Sequence, residues 1–227
     1  MSEHHDPSPV NPLPTVVVIL ALLLVGIEGI FLLAENGLLG GGTGFAWRAQ
    51  AVEDFGFYAQ IPAFLLTYGT EQPELLLRFV TYCFIHASFS HFLFAGVFLL
   101  ALGKFVGEIF NPFAVVAVFL TSAIGGALLY GLLWREAPPL IGAFPAVYGL
   151  IGAYSFVLWR LAEHVGESQL GAFRLIAMLM GIQLVFAVIF GGGWDWVADL
   201  GGFVTGFGLS FFVSPGGASR VQSIFRR

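Results

Sequence analysis

The chain has 227 residues, of which 58% are hydrophobic and only 10% are charged, and its mean hydropathy is +0.89. Soluble globular domains carry about 25% charged residues, so this composition excludes that class and predicts a membrane protein. The formal net charge of -5, with Lys and Arg scattered along the chain, provides no basic stripe for a nucleic-acid partner. The single cysteine, Cys83, permits no internal disulfide.

The N-terminal segment 1–14 is polar and Pro-rich and lacks the positive region of a cleavable signal peptide. We expect a cytoplasmic tail there, and we interpret His4 and His5 as part of that tail rather than as metal ligands. The apolar run at 15–33 follows and ends at the Gly-rich LLGGGTG, which holds a helix poorly. This run predicts the first membrane span.

Residues 34–87 mix charged residues with aromatic residues that suit the membrane–water interface. The most apolar stretch, FGFYAQIPAFLLTYG, is shorter than the ~18 apolar residues expected of a span. We expect a long, half-immersed first loop, while composition alone leaves a seventh crossing open.

Five further apolar runs are each long enough to cross about 30 Å of hydrocarbon. They lie at 88–110, 113–134, 141–161, 172–190 and 196–213. The pattern predicts an all-α polytopic membrane protein with six transmembrane helices, forming one domain at 15–213 with a tail at 214–227. Glycines within the fourth and sixth spans predict that these two helices pack together. The Lys and Arg distribution predicts that both termini are cytoplasmic, in the plasma (inner) membrane.

The second span carries a specific pattern of polar residues. The segment RFVTYCFIHASFSHFLFAGVFLLALGKFVGE places Arg78, His86, His91, Gly103 and Glu108 in that order. This order resembles the rhomboid intramembrane proteases, in which an Arg precedes a His-rich turn and a Gly followed by a Glu closes the span.

Three other segments strengthen the resemblance. Trp47 and Arg48 are similar to the Trp–Arg pair of the family's first loop, IGAFPAVYGLIGAY to its nucleophile segment G-x-S-G-x-x-x-G, and VADLGGFVTG to its A-H-x-x-G segment. Gly142, Gly149 and Gly152 fix the alignment of the nucleophile segment, Gly201 fixes that of the last segment, and Gly202 is a further glycine of the motif. The resemblance implies a six-helix, rhomboid-like bundle.

The resemblance also implies a serine nucleophile on the fourth span, a histidine base on the sixth, and oxyanion donors from a His and an Asn of the second. In this sequence the nucleophile position is Phe144, the base position is Asp199 and the oxyanion Asn position is Ala95. The next position after Phe144, a Gly in the family, is Pro145, which has no backbone N–H. We therefore expect no catalytic residues, no metal and no cofactor. The expected protein has a rhomboid-like fold but no protease activity. The alternative is an active serine endopeptidase with an unconventional catalytic set.

Three polar side chains remain where the family's site would lie: His86, His91 and Asp199. A carboxylate within a membrane needs a partner, and we expect His91, or else His86, to bind Asp199. The same three ligand types permit a metal site, although no supporting motif accompanies them. Ser88 and Ser90 flank His91, and we interpret them as caps of the second span rather than as relocated nucleophiles.

Other charged residues have structural interpretations. Glu28, well inside the first span, either pairs with Arg48 or lies close enough to the interface to be hydrated. Arg78 and Glu108 are expected to brace the loop and the helix ends. The predicted partners are membrane lipids and the transmembrane segments of client proteins, with no nucleic acid. A purely structural or assembly subunit is compatible with the same sequence.

Overall fold

The computed structural model describes residues 12–134, 136–190 and 193–216, apart from the side chains at positions 186, 187 and 190. Most of these residues are helical, and among them there is no β-strand, only one isolated bridge between Phe57 and Leu140. The all-α prediction is therefore confirmed. His4, His5, Arg135 and the arginines near the C-terminus lie outside the described residues, and the predictions for the two tails and for the orientation stay predictions.

The described chain contains nine α-helices. In order they are α1 Thr15–Glu35, α2 Trp47–Phe55, α3 Ile61–Tyr68, α4 Pro73–Thr81, α5 Phe89–Ile109, α6 Pro112–Leu133, α7 Phe144–Val165, α8 Arg174–Phe190 and α9 Trp196–Val213. Five of them, namely α1, α5, α6, α7 and α9, have 18 to 22 residues and are apolar enough to cross a membrane. The remaining predicted span corresponds to α8, whose 17 residues rise about 25 Å. The protein is a multi-pass membrane protein.

Local sequence determines where the long helices begin. The Ser88 side chain accepts a hydrogen bond from the His91 N–H and caps α5, which confirms its interpretation as a cap. The fourth predicted span begins at Phe144 and not at 141, because Gly142 just before it adopts φ +98°. Pro145 is tolerated in the first turn of α7, where a missing N–H breaks no helical bond.

The first loop is more ordered than predicted, since it contains the three short helices α2, α3 and α4. Gly56 and Gly69 end the first two of these helices, and Pro73 begins the third. With eight residues, α3 rises only about 12 Å and does not cross the membrane. Phe57 and Leu140 exchange backbone hydrogen bonds of 3.0 and 2.8 Å, which fasten this loop to the segment before α7.

Close contact between α7 and α9 forms the centre of the bundle. A Cβ placed on Gly202 would collide with the Pro145 carbonyl, and one on Gly206 would collide with the backbone of Gly149. Only glycine permits the two backbones to approach this closely. The predicted packing of the fourth and sixth spans is confirmed, and it sets Asp199, in the first turn of α9, beside the start of α7.

Candidate functional site

The segment that enters α7 is held by hydrogen bonds to the end of the first loop. The Gly142 N–H donates to the Tyr82 carbonyl at 3.0 Å. The next N–H, of Ala143, donates to His86 Nε2 at 3.4 Å. Two backbone donors of this turn are therefore already engaged.

Phe144 opens α7 and is half-buried. Its ring stacks on His91, with ring centroids 5.3 Å apart and planes inclined by 13°. A Cβ on Gly142 would lie 2.5 Å from His91 Cε1 and Nε2. The His91 imidazole is thus in close contact with both the Phe144 ring and the Gly142 backbone, and Ala95, fully buried on α5, supplies no side-chain donor.

The two histidines meet edge to face, with ring centroids 5.3 Å apart. His86 is 1% exposed, and burial, the neighbouring His91 and the charge of Arg48 lower its pKa to about 3. A neutral His86 that accepts at Nε2 carries its proton on Nδ1, which has no hydrogen-bond partner among the described residues. His91 Nδ1 faces the Ala87 N–H at 3.3 Å. Both rings are therefore occupied in holding the backbone.

Asp199 is 2% exposed and does not bind a histidine. Its Oδ2 accepts a hydrogen bond of 2.7 Å from Gln183 Nε2 on α8, so the predicted pairing with His91 or His86 is wrong. The reason is geometric: His91 is turned toward Gly142 and Phe144, whereas Gln183 supplies a free amide.

Gln183 was missed by sequence reasoning, although a signal exists. It is the only polar side chain between Arg174 and Phe190, and a lone amide in an apolar helix indicates an interhelical hydrogen bond.

The metal alternative at His86, His91 and Asp199 finds no support, because no group of three potential ligands comes together among the described residues. Of the three predicted pocket residues, the structure brings the two histidines together, while Asp199 turns to α8.

A charged cluster lies beside His86. The Arg48 guanidinium donates to both carboxylate oxygens of Glu28, at 2.9 and 3.0 Å, to Glu35 at 2.6 Å, and to the His86 carbonyl at 2.8 Å. Glu28 is 2% exposed, so of the two interpretations of this residue the structure shows the pair with Arg48. Burial lowers the pKa of Arg48, but hydrogen bonds to Glu28 and Glu35 outweigh it and raise the pKa above its usual value.

The other predicted motif residues lie at helix ends. The Trp47 indole packs on the small apolar cluster around Phe31. Arg78 Nη1 donates to the carbonyls of Glu53 and Gly56, at 2.8 and 3.1 Å, and so joins α4 to the end of α2. Glu108 lies 4.0 Å from Lys104, one turn earlier on its own helix.

Comparison with known proteins agrees with the fold and the motif residues described above. The family model described as Rhomboid domain matches residues 73–216, which is more than half of the chain. The chain belongs to the rhomboid family. Among curated relatives, it is 26% identical over 159 residues to Rhomboid-like protease 1 of Toxoplasma gondii, covering 66% of this chain and 53% of that protein. It is 28% identical over 141 residues to Rhomboid-type serine protease 2 of Emericella nidulans, covering 62% and 27%. It is 27% identical over 137 residues to RHOMBOID-like protein 4 of Arabidopsis thaliana, covering 59% and 33%.

This rhomboid-family chain spans about half or less of the length of these relatives. The matched region includes both histidines, Phe144 and Asp199, and begins after Trp47 and Arg48. The family predicted from motifs is confirmed, and the altered positions lie inside the region that identifies it.

Proposed function

We propose that this rhomboid-family membrane protein is not a protease and that it binds the transmembrane segments of client proteins. The observation that carries the proposal is the stacked Phe144–His91 pair, since the motif resemblance assigns these two positions to the family's nucleophile and an oxyanion donor.

Acyl transfer needs a hydroxyl or thiol activated by a base, together with donors fixed around the oxyanion. Phe144 has no hydroxyl and Pro145 has no N–H, while Asp199 accepts its hydrogen bond from an amide on another helix. The loss of even one oxyanion donor reduces turnover by about 10²–10³, and here the nucleophile is absent as well. Substitutions of this number and kind support loss of catalysis.

The remaining serines near the site support the same conclusion. Ser88 Oγ lies 3.0 Å from Ser90 Oγ and caps α5, so both hydroxyls are engaged at the helix start. Ser155 is completely buried three turns further along α7. Neither position suits a relocated nucleophile.

Client binding is supported by the surface of the first loop. The loop is fastened by Arg48, Arg78 and the Phe57–Leu140 bridge, and its helix α3 exposes apolar side chains. Leu66 is 86% exposed, and Tyr68, the last residue of α3, is 70% exposed. A rigid, apolar and interfacial surface of this kind suits a transmembrane helix that enters from the lipid.

The catalytic half of the proposal is tested by incubating the purified protein, in lipid vesicles, with a model transmembrane substrate and a fluorophosphonate probe. We expect no cleavage and no labelling. Specific cleavage, or labelling of a serine, would instead establish the alternative of an active rhomboid endopeptidase, which the protease names of two of the relatives favour.

The client-binding half is tested by energy transfer between the labelled protein and a labelled single-span peptide in the same vesicles. Leu66→Ser with Tyr68→Ser should weaken the transfer. The matched control is Leu22→Ser on α1, since Leu22 is 62% exposed on a membrane span away from the loop. Transfer no greater than that of an unrelated membrane protein would favour a passive structural subunit.

A further inference from the structure

A cleft of about 390 Å³ lies where three membrane helices end side by side, between the last turns of α5, α7 and α9. Part of its lining is apolar and includes Ile109, Phe156 and Leu161. Ile109 is 46% exposed and Leu161 is 56% exposed, so the cleft is open at the ends of the spans. An apolar lining at the end of a span suits an acyl chain.

The mouth of this cleft carries hydrogen-bond donors from Arg160, His164 and Ser214. Arg160 lies over the Trp159 ring, with its guanidinium carbon 5.8 Å from the ring centroid, and one of its terminal nitrogens donates to Glu163. Its remaining N–H groups have no partner among the described residues, and guanidinium, imidazole and hydroxyl groups all donate to phosphate oxygens. The mouth therefore suits a phosphodiester.

The charges and carbonyl groups near the cleft indicate which chemical group would fit beside the phosphodiester. Among the residues that the structure describes, the Arg160 of the lining pairs with Glu163, so this ion pair adds no net charge. Three helix C-termini add partial negative charge, and each leaves carbonyls in its last turn without a helical partner. Beside the phosphate, a primary ammonium would donate charge-assisted hydrogen bonds to those carbonyls, which a quaternary ammonium cannot do.

We infer that this cleft binds one phospholipid whose headgroup carries a primary ammonium, as phosphatidylethanolamine does. Its phosphate contacts Arg160, His164 and Ser214, and one acyl chain lies along Phe156 and Leu161. The site is separate from the altered protease site and does not depend on the proposed function.

Native mass spectrometry of the purified protein in detergent tests this inference. The protein is titrated with phosphatidylethanolamine, phosphatidylcholine and phosphatidylglycerol of identical acyl chains. We expect phosphatidylethanolamine to bind about fivefold more tightly than the other two, since its ammonium donates a charge-assisted hydrogen bond worth about 1 kcal/mol, which phosphatidylcholine cannot make and phosphatidylglycerol makes only with a neutral hydroxyl. Arg160→Gln should remove about fivefold of that affinity, while Arg174→Gln, a change at the exposed first residue of α8, should leave it unchanged.

Glu163→Gln separates this inference from a folding defect. It retains Arg160 and leaves its charge unbalanced, so the preference should shift toward phosphatidylglycerol in a protein that still binds lipid. Equal binding of the three lipids by the wild type, or wild-type binding by Arg160→Gln, would overturn the inference. So would complete competition by inorganic phosphate, which would identify a site for the free ion.

Discussion

Replacing Arg48 with alanine should destabilise the protein strongly, because it leaves a buried carboxylate without its cation. Glu28 is 2% exposed within the first membrane span, and both of its oxygens accept hydrogen bonds from Arg48. Removing one partner of a buried ion pair costs about 3–5 kcal/mol. The lost hydrogen bond to the His86 carbonyl adds about 1 kcal/mol.

Glu35 provides the matched control, since it binds the same guanidinium but is 36% exposed. Glu35→Gln should cost less than about 1 kcal/mol. The free energy of unfolding is measured by titrating mixed micelles with a denaturing detergent and following circular dichroism. The double variant Glu28→Gln, Arg48→Ala should cost less than the sum of its single changes, because no charge is then stranded. Equal losses for Arg48→Ala and Glu35→Gln, or full additivity in the double variant, would refute this reasoning.

Three further predictions use the same unfolding assay. Gly202→Ala should destabilise the protein by about 1–3 kcal/mol because the added Cβ collides with the α7 backbone. Gly208→Ala, which has open space around it, should be neutral or stabilising. Equal effects of the two substitutions would contradict the close packing of α7 and α9. Gln183→Leu should cost about 1.5–3 kcal/mol by removing the amide donor to Asp199, and no loss would show that this hydrogen bond is absent in solution. The folded-state pKa of His86, about 3, lies below its usual value of about 6.5, so its stabilising contribution is complete above pH 6.5 and declines by up to about 1.4 kcal/mol per unit as pH falls toward 3. His86→Gln should therefore show a flatter decline over that range, and an unchanged decline would assign it to other groups.

The spans and the contact between α7 and α9 were predictable because each depends on a local property of the sequence. An apolar run of sufficient length predicts a span, and Gly202 and Gly206 indicate a close helix contact. The short helices of the first loop were not predicted, since the apolar and charged residues there are mixed and show no membrane-length run.

The partner of Asp199 was predicted incorrectly because it depends on the direction in which His91 points. Local sequence does not determine that direction, which follows from a φ of +98° at Gly142 and from the ring of Phe144. Gln183 becomes the partner through the position of α8 relative to α9, a tertiary property that no short motif specifies.

The central claim, a rhomboid frame without the protease, is tested most directly by comparing the wild type with the variant Phe144→Ser, Pro145→Gly, Asp199→His, Ala95→Asn. Both proteins are placed in identical vesicles with the same model transmembrane substrate, and the rate of its cleavage is measured. We predict no cleavage by the wild type and measurable cleavage by the variant, in which a nucleophile, a base and an oxyanion donor are restored. Cleavage by the wild type at a rate equal to that of the variant would contradict the claim.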